Sequence, residues 1–306
     1  MPTLTGTVLR AQGGVYEIET PEGTLEASLR GRVKREERTG DKVVVGDVVE
    51  LGRGSGSGAA AWTIEKVHDR RTVLARRAPG KAPRAKVIVA NVDQVLVVFS
   101  AANPAPHLRM LDRFLVIAEA AELRPVIVVN KTDVEGEAAA RALFAPYERA
   151  GYQMIFTAAK QGIGVGEVKE AICGQLSALA GPSGVGKSSL LNAVQPGLGL
   201  RVGAVSEVVN KGKHTTVTAQ LIPLECGGYV ADTPGLREVG LWEVDTDQLQ
   251  FYFPEFAGRI DNCRFTSSCT HIHEPGCAIR SAVDAGEIDF GRYDSYRRMM
   301  LGEDED

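Results

Sequence analysis

Residues 181–188 read Gly181-Pro182-Ser183-Gly184-Val185-Gly186-Lys187-Ser188, the spacing G-x-x-x-x-G-K-[ST] that cradles a phosphate chain. Glycines let backbone N–H groups turn toward an anion at dihedral angles and approach distances that a Cβ forbids. Lys187 offers a point charge for the β/γ oxygens, and the Ser188 hydroxyl offers a ligand for Mg²⁺. Lys187-Ser188-Ser189 then opens a helix whose N-terminus adds its positive dipole end to the same place. The stretch promises a nucleotide and does not say which.

The base is named elsewhere. Asn130-Lys131-Thr132-Asp133 spells N-K-x-D after a buried-type strand over Arg124–Asn130, at the sheet edge where such folds bind ligands. A carboxylate at Asp133 accepts from the N1–H and exocyclic NH₂ of guanine, donors that adenine lacks. Lys131 is expected to lay its stem along the base, and Asn130 to tie this loop to the phosphate loop. Thr157-Ala158-Ala159-Lys160 suits a further guanine contact made through backbone N–H. Asp232-Thr-Pro-Gly235 is D-x-x-G: Asp232 for Mg²⁺ through water, and the Gly235 N–H for the γ-phosphate. Lys211-Gly-Lys-His214-Thr215-Thr216 reads as a switch loop in which Thr215 or Thr216 closes on Mg²⁺. Each tetrapeptide is weak alone; together they define a GTP site.

Their order is unusual. N-K-x-D and the Thr157 loop precede the phosphate loop, whereas the common run starts with the phosphate loop. Adjacent chain ends make such circular permutation tolerable. Whatever follows Gly235 is therefore tied covalently to the segment that moves on hydrolysis.

A second chemistry lies near the C-terminus. Cys263-x₅-Cys269-x-His271-x₅-Cys277 supplies three thiolates and one imidazole, a complete tetrahedral set for one structural Zn²⁺. His273 is the alternative imidazole, and reduced structural thiols are the alternative to metal. Cys173 and Cys226 read as ordinary buried residues.

The elements that position these groups follow from periodicity. Residues 1–68 read as an all-β domain with strands near Leu4–Leu9, Val15–Thr20, Thr24–Leu29, Lys42–Leu51 and Trp62–Val67, which suits an OB-fold barrel. Asp69–Arg84 reads as an exposed basic connector. The domain over 69–242 alternates strand and helix as a doubly wound, mostly parallel α/β sheet with one antiparallel hairpin around Glu225–Gly228. Helices are expected over Arg109–Ala121, Glu137–Arg149 and Val165–Cys173, with strands over Gln94–Ser100, Gln153–Thr157 and Gln175–Ala180. Residues 243–306 form the zinc-binding domain, mostly α and loop.

Composition sets the outer limits. With 44% hydrophobic and 24% charged residues, most of the 306-residue chain should fold. Its longest apolar run, Val95–Ala102, cannot cross a bilayer, and the Met1 end shows no secretory signal. A cytoplasmic monomer with no membrane contact is expected. The net charge of −4 is uneven: Ala27–Ala90 holds 15 basic and 7 acidic residues, a net of +8. The loop Arg30–Arg38 carries much of this charge and suits nucleic-acid phosphates.

With Gly212-Lys-His-Thr-Thr216, Asp232-Thr-Pro-Gly-Leu-Arg-Glu238, Phe253-Pro-Glu-Phe256, Cys263-Arg-Phe265 and His273-Glu-Pro-Gly-Cys-Ala278 added, nearly the whole chain resembles the RsgA/YjeQ family of circularly permuted GTPases. The resemblance implies an OB-fold that contacts ribosomal RNA, GTP hydrolysis to GDP, and a role late in small ribosomal subunit maturation with stimulation by that subunit. Residue spacing alone reaches a permuted GTPase with a basic barrel and a zinc module. Leu236 stands where Ras-like enzymes carry a water-orienting Gln, so unaided hydrolysis should be slow. His214 is the candidate catalytic group beside Lys187 and Thr216, acting once a partner orders its loop. Gly184 sits where potassium-activated GTPases carry Asn, so K⁺ dependence has no support. The competing classes are a guanylate-type kinase, which shares the phosphate-loop spelling, and a GTP-switched binding protein acting on another RNA.

Overall fold

The computed structural model describes residues 4–29, 42–53, 61–77, 85–200, 219–232 and 245–303. Alternating burial in the N-terminal strands curls them into a barrel: β1 (Leu4–Gln12), β2 (Val15–Thr20), β3 (Gly23–Leu29), β4 (Val48–Arg53) and β5 (Trp62–Val67). β1–β2–β3 form a meander, β5 lies parallel to β3 and antiparallel to β4, and β4 closes on β1. This is the closed five-stranded, OB-like barrel, filled by Val8, Ile18, Ala27, Val49, Leu51 and Ile64. The fourth strand starts later than expected. Residues before Val48 turn instead, because the buried Asp47 carboxylate accepts from Val44 N and from the Arg70 guanidinium.

The expected basic connector is also different in kind. Residues 78–84 lie outside the described residues, but Val73–Arg77 (β6) and Ala85–Ala90 (β7) on either side of them pair as an antiparallel hairpin. Its foot is fixed to the barrel by Ala90 N on Val45 O and by Asn91 Nδ2 on Gly46 O.

β8 (Gln94–Ser100) and β9 (Arg124–Asn130) are continuous apolar runs, as central parallel strands require when both faces are covered. They join β10 (Gln153–Phe156), β11 (Leu176–Ala180) and β13 (Tyr229–Asp232) in the parallel order β10-β9-β8-β11-β13, with β12 (Gln220–Pro223) antiparallel outside β13. One face packs α1 (Leu108–Ala120) and α2 (Glu137–Arg149) through Phe99, Leu111, Leu115, Phe144 and Tyr147. The other packs α3 (Val165–Ile172) and α4 (Lys187–Val194) through Val98, Val168, Ile172 and Leu190. The sheet is doubly wound, as the alternation of elements requires.

The barrel adds itself to this sheet. β1 pairs with β12 at Arg10↔Gln220, and the Tyr229 hydroxyl donates to Glu19. The edge that β12 would expose is thereby covered.

Cys173 and Cys226 form a disulfide and are not ordinary buried thiols; the first is half-buried and the second exposed. Sheet register explains the pairing. Leu176 of β11 lies opposite Tyr229 of β13, and each cysteine stands in the turn just before its strand. A sequence separation of 53 hides this from any local pattern.

The C-terminal module is built from 3₁₀ turns over Thr246–Tyr252, Pro254–Phe256, Ile260–Asn262 and Thr266–Ser268, followed by α5 (Ala278–Asp284) and α6 (Phe290–Leu301). Its core is aromatic: Phe253, Phe256 and Tyr296 meet with ring centroids 4.9–5.3 Å apart. Arg292 of α6 locks the module to the sheet domain. Its guanidinium donates to Asp112 of α1 at 2.7 Å and to Glu255 at 2.8 Å and 3.2 Å, and it stacks near Phe253 and Tyr147. Arg292 and Asp112 are each only 2% exposed. Burial opposes the cation, but the two carboxylates hold its pKa well above the ordinary value.

Candidate functional site

The strand order places three loops at one edge of the sheet: the phosphate loop after β11, N-K-x-D after β9, and the Thr157 loop after β10. Backbone geometry explains the glycines. Gly181 has φ +128°, and a Cβ there would lie 2.1 Å from Val98 O on the neighbouring strand. A Cβ on Gly186 would lie 2.4 Å from Asn130 Nδ2.

Asn130 is the knot between the loops. Its Nδ2 donates to Val185 O at 3.0 Å, while its Oδ1 accepts from Thr157 Oγ1 at 3.0 Å and Ala159 N at 3.1 Å. Thr132 completes the tie, with N and Oγ1 both donating to Thr157 O. All of these polar groups are buried and satisfied, which rigidifies the constellation. Ala158 and Ala159 are also buried, and their backbone N–H groups donate to Ile163 O and Asn130 Oδ1.

Lys131 takes the left-handed conformation, φ 62°, and sends its ammonium to Gly184 O at 2.7 Å and to Asn103 O. Partial burial lowers its pKa, nearby Lys160 adds to the shift, and Asp133 opposes it. Asp133 is exposed and accepts from Gln161 Nε2 at 3.1 Å, which leaves the rest of its carboxylate facing outward. Gln161 is a member of this cluster that the motifs did not indicate. Lys187 is buried across the phosphate loop, donating to Gly181 O and Pro182 O at 2.6 Å each, with Ser188 buried beside it and Ser189 half-buried. Pro182, Ser183 and Gly184 complete the open side of the loop.

Asp232 ends β13, paired with Gln220. His214, Thr215, Thr216, Gly235, Leu236 and the Arg30–Arg38 loop lie outside the described residues, as does the side chain of Asp232.

The second site is a buried cluster. One donor atom each from Cys263, Cys269, His271 and Cys277 falls within 4.8 Å of the others. A tetrahedral zinc with bonds of about 2.3 Å to sulfur and about 2.0–2.1 Å to nitrogen needs S···S edges of about 3.8 Å and N···S edges of about 3.6 Å. Cys263 and Cys277 sulfurs are 3.9 Å apart, and His271 Nδ1 lies 3.5 Å and 3.3 Å from them. The donor set and its spacing fit zinc. Burial lowers the His271 pKa, which keeps the imidazole neutral as a ligand must be. His273 is exposed and turned away from this cluster's ligand role, offering its backbone N to Glu274.

The ligand loop is held from outside. Glu274 accepts from Thr270 N and Oγ1, Ile272 N and His273 N. Burial would raise its pKa, but these hydrogen bonds bring it down to about 2. Tyr293 and Tyr296 of α6 donate to the His271 and Thr270 carbonyls, and Gln250 Oε1 sits 2.8 Å from His271 Nε2. Of these supports only Glu274 falls in a motif, His273-Glu-Pro-Gly-Cys-Ala278; Gln250, Tyr293 and Tyr296 carry none.

A barrel joined to a doubly wound sheet, with its guanine-type loops ahead of its phosphate loop in the chain, defines the class of circularly permuted P-loop GTPases. The chain belongs to the RsgA GTPase family: the RsgA GTPase model matches residues 67–242 and the RsgA N-terminal domain model matches residues 5–57. It is 51% identical to the small ribosomal subunit biogenesis GTPase RsgA of Gemmatimonas aurantiaca over 96% of each chain. The protein of the same name from Moorella thermoacetica is 42% identical, over 97% of this chain and 96% of the relative. Among solved structures, YjeQ from Thermotoga maritima superposes with a TM-score of 0.81 at 35% identity and 98% coverage of both chains. YloQ, a circularly permuted GTPase, superposes with a TM-score of 0.77 at 28% identity, over 98% of this chain and 95% of that one. No described helix is long and apolar enough to cross a membrane.

Proposed function

We propose that this protein hydrolyses GTP to GDP and phosphate while bound to the small ribosomal subunit, in the cytoplasm and as a monomer, during late maturation of that subunit. The observation that carries the reading is the Asn130 knot, which fixes a guanine-type loop against a phosphate loop at one sheet edge. Family membership and the names of the relatives support the ribosomal part.

In this reading Asp133 accepts from the guanine N1–H and NH₂, while Lys131 and the backbone of Thr157, Ala158 and Ala159 frame the base. The backbone from Gly181 to Ser189 cradles the phosphates, and Lys187 exchanges its two carbonyl partners for β/γ oxygens. Mg²⁺ would be held by Ser188, by Asp232 through water, and by Thr215 or Thr216. It would supply charge neutralisation at the transferring phosphoryl group. His214 is the group proposed to reach the attacking water or γ-phosphate when the subunit orders its loop. Cys263, Cys269, His271 and Cys277 would hold one zinc in a structural role, since four protein donors leave no open position.

The barrel and the C-terminal module flank the moving parts. The barrel pairs with β12, which follows the switch loop, and the C-terminal module begins after the D-x-x-G segment. The γ-phosphate therefore adjusts two neighbouring bodies at once, and hydrolysis releases them.

Co-sedimentation tests this partner assignment. The full chain with purified small subunits should pellet with a non-hydrolysable GTP analogue and remain mostly in the supernatant with GDP. Equal pelleting with both nucleotides, or none with either, would sink the assignment.

A further inference from the structure

We propose that Gln250 is a positioning residue of the metal centre: its amide oxygen fixes His271 as the Nδ1 ligand and fastens the polypeptide arriving from the D-x-x-G segment to the metal. The inference rests on the reading of the Cys₃His cluster as a zinc site and adds to it a residue outside the ligand set.

The geometry is one-directional. His271 Nδ1 faces the sulfurs of Cys263 and Cys277, so its other nitrogen points away from the cluster. There Nε2 meets Gln250 Oε1 at 2.8 Å, with His271 0% and Gln250 8% exposed. An imidazole bound to metal through Nδ1 carries its proton on Nε2, and that N–H needs an acceptor in a buried site. Oε1 is that acceptor. The ring itself is wedged against Phe256 and Tyr296, centroids 6.0 Å and 6.1 Å away, so it has little room to find another partner.

Position in the chain gives the contact its second meaning. Gln250 lies in the Thr246–Tyr252 turn, downstream of Asp232 and upstream of all four residues of the Cys₃His cluster. The turn is anchored by Leu249, which is buried in the module core, and by Gln250 on the metal side. The metal thus holds the far end of the segment that leaves the nucleotide site, as well as its own loop.

The test is zinc release from the purified full chain into an excess of a chromogenic chelator, comparing wild type, Gln250→Met and Gln250→Glu. Met keeps the length and apolar stem but has no comparable acceptor; Glu keeps an acceptor and adds charge. We expect Gln250→Met to release zinc about 10–100-fold faster, the usual cost of losing an outer-shell partner, and Gln250→Glu to release it no faster than wild type. A packing role predicts the reverse, with Met harmless and Glu disruptive, and that result would overturn the proposal. So would a Gln250→Met rate equal to wild type. Ring ¹⁵N shifts of His271 in the zinc-loaded wild type give a check that needs no variant. A protonated Nε2 is expected, and a protonated Nδ1 contradicts it. If wild type carries no stoichiometric zinc, the metal reading itself fails, an outcome distinct from a loaded protein indifferent to Gln250.

Discussion

Asp133→Asn should cost the protein its GTP and give it xanthosine triphosphate instead. Two hydrogen bonds from guanine to a carboxylate are at stake, each of about 1.5–3 kcal/mol when the acceptor is charged, so GTP affinity should fall by about 10²–10⁴-fold. Asn turns one acceptor into a donor, which now faces the guanine amino group but matches the 2-oxo group of xanthine. The structure favours a local effect. Asp133 is exposed, its partner Gln161 is exposed, and the fold's knot at Asn130 does not pass through it. Competition of fluorescent GDP against GTP and XTP would measure both halves. Unchanged GTP affinity with unchanged selectivity would remove Asp133 from base recognition.

Arg292→Ala should produce the largest loss of stability in the C-terminal half. The substitution strands Asp112 and Glu255, of which Asp112 is fully desolvated, and breaking a buried pair of this kind costs about 3–5 kcal/mol. The Ser295 hydroxyl, which also donates to Asp112, softens the loss without supplying charge. Arg71–Asp93 offers a comparison: Arg71 is 67% exposed, so Arg71→Ala should change stability by no more than about 1 kcal/mol. Denaturant unfolding of the two variants would settle the contrast. A loss for Arg292→Ala as small as that for Arg71→Ala would mean that the module is not fastened to α1 by this ion cluster.

The chemistry was more legible than its mounting. N-K-x-D, the phosphate loop and the Cys₃His spacing are short and local, so sequence alone names their residues, and β8, β9 and α2 are found where periodicity places them. Missed features depend on distant pairing. The β6–β7 hairpin hid behind the Pro- and Arg-rich composition of Asp69–Arg84. The Cys173–Cys226 bond needs the β11–β13 register. Arg292 reads as one more basic residue on a helix until α1 and the Pro254–Phe256 turn bring two carboxylates to it. Gln161 and Gln250 are ordinary polar residues by type. Only the fold sets one against Asp133 and the other against His271.

The arrangement gives circular permutation a physical use. In this chain order the barrel sits on β12, and the C-terminal module is docked on α1. The stretches between these anchors include both segments proposed above as the nucleotide switch. In the proposed reading, a change at the γ-phosphate is strung between these two bodies. Leu236 offers no donor or acceptor to orient water, and in the function proposed above the rate of that change is left to a partner.

GTP turnover by the full chain, measured with and without purified small ribosomal subunits, tests this account most directly. Slow hydrolysis alone and a rise of at least about tenfold on adding subunits, within the range that charge and ordering supplied in trans can produce, is the predicted result. The same rate in both reactions would contradict it.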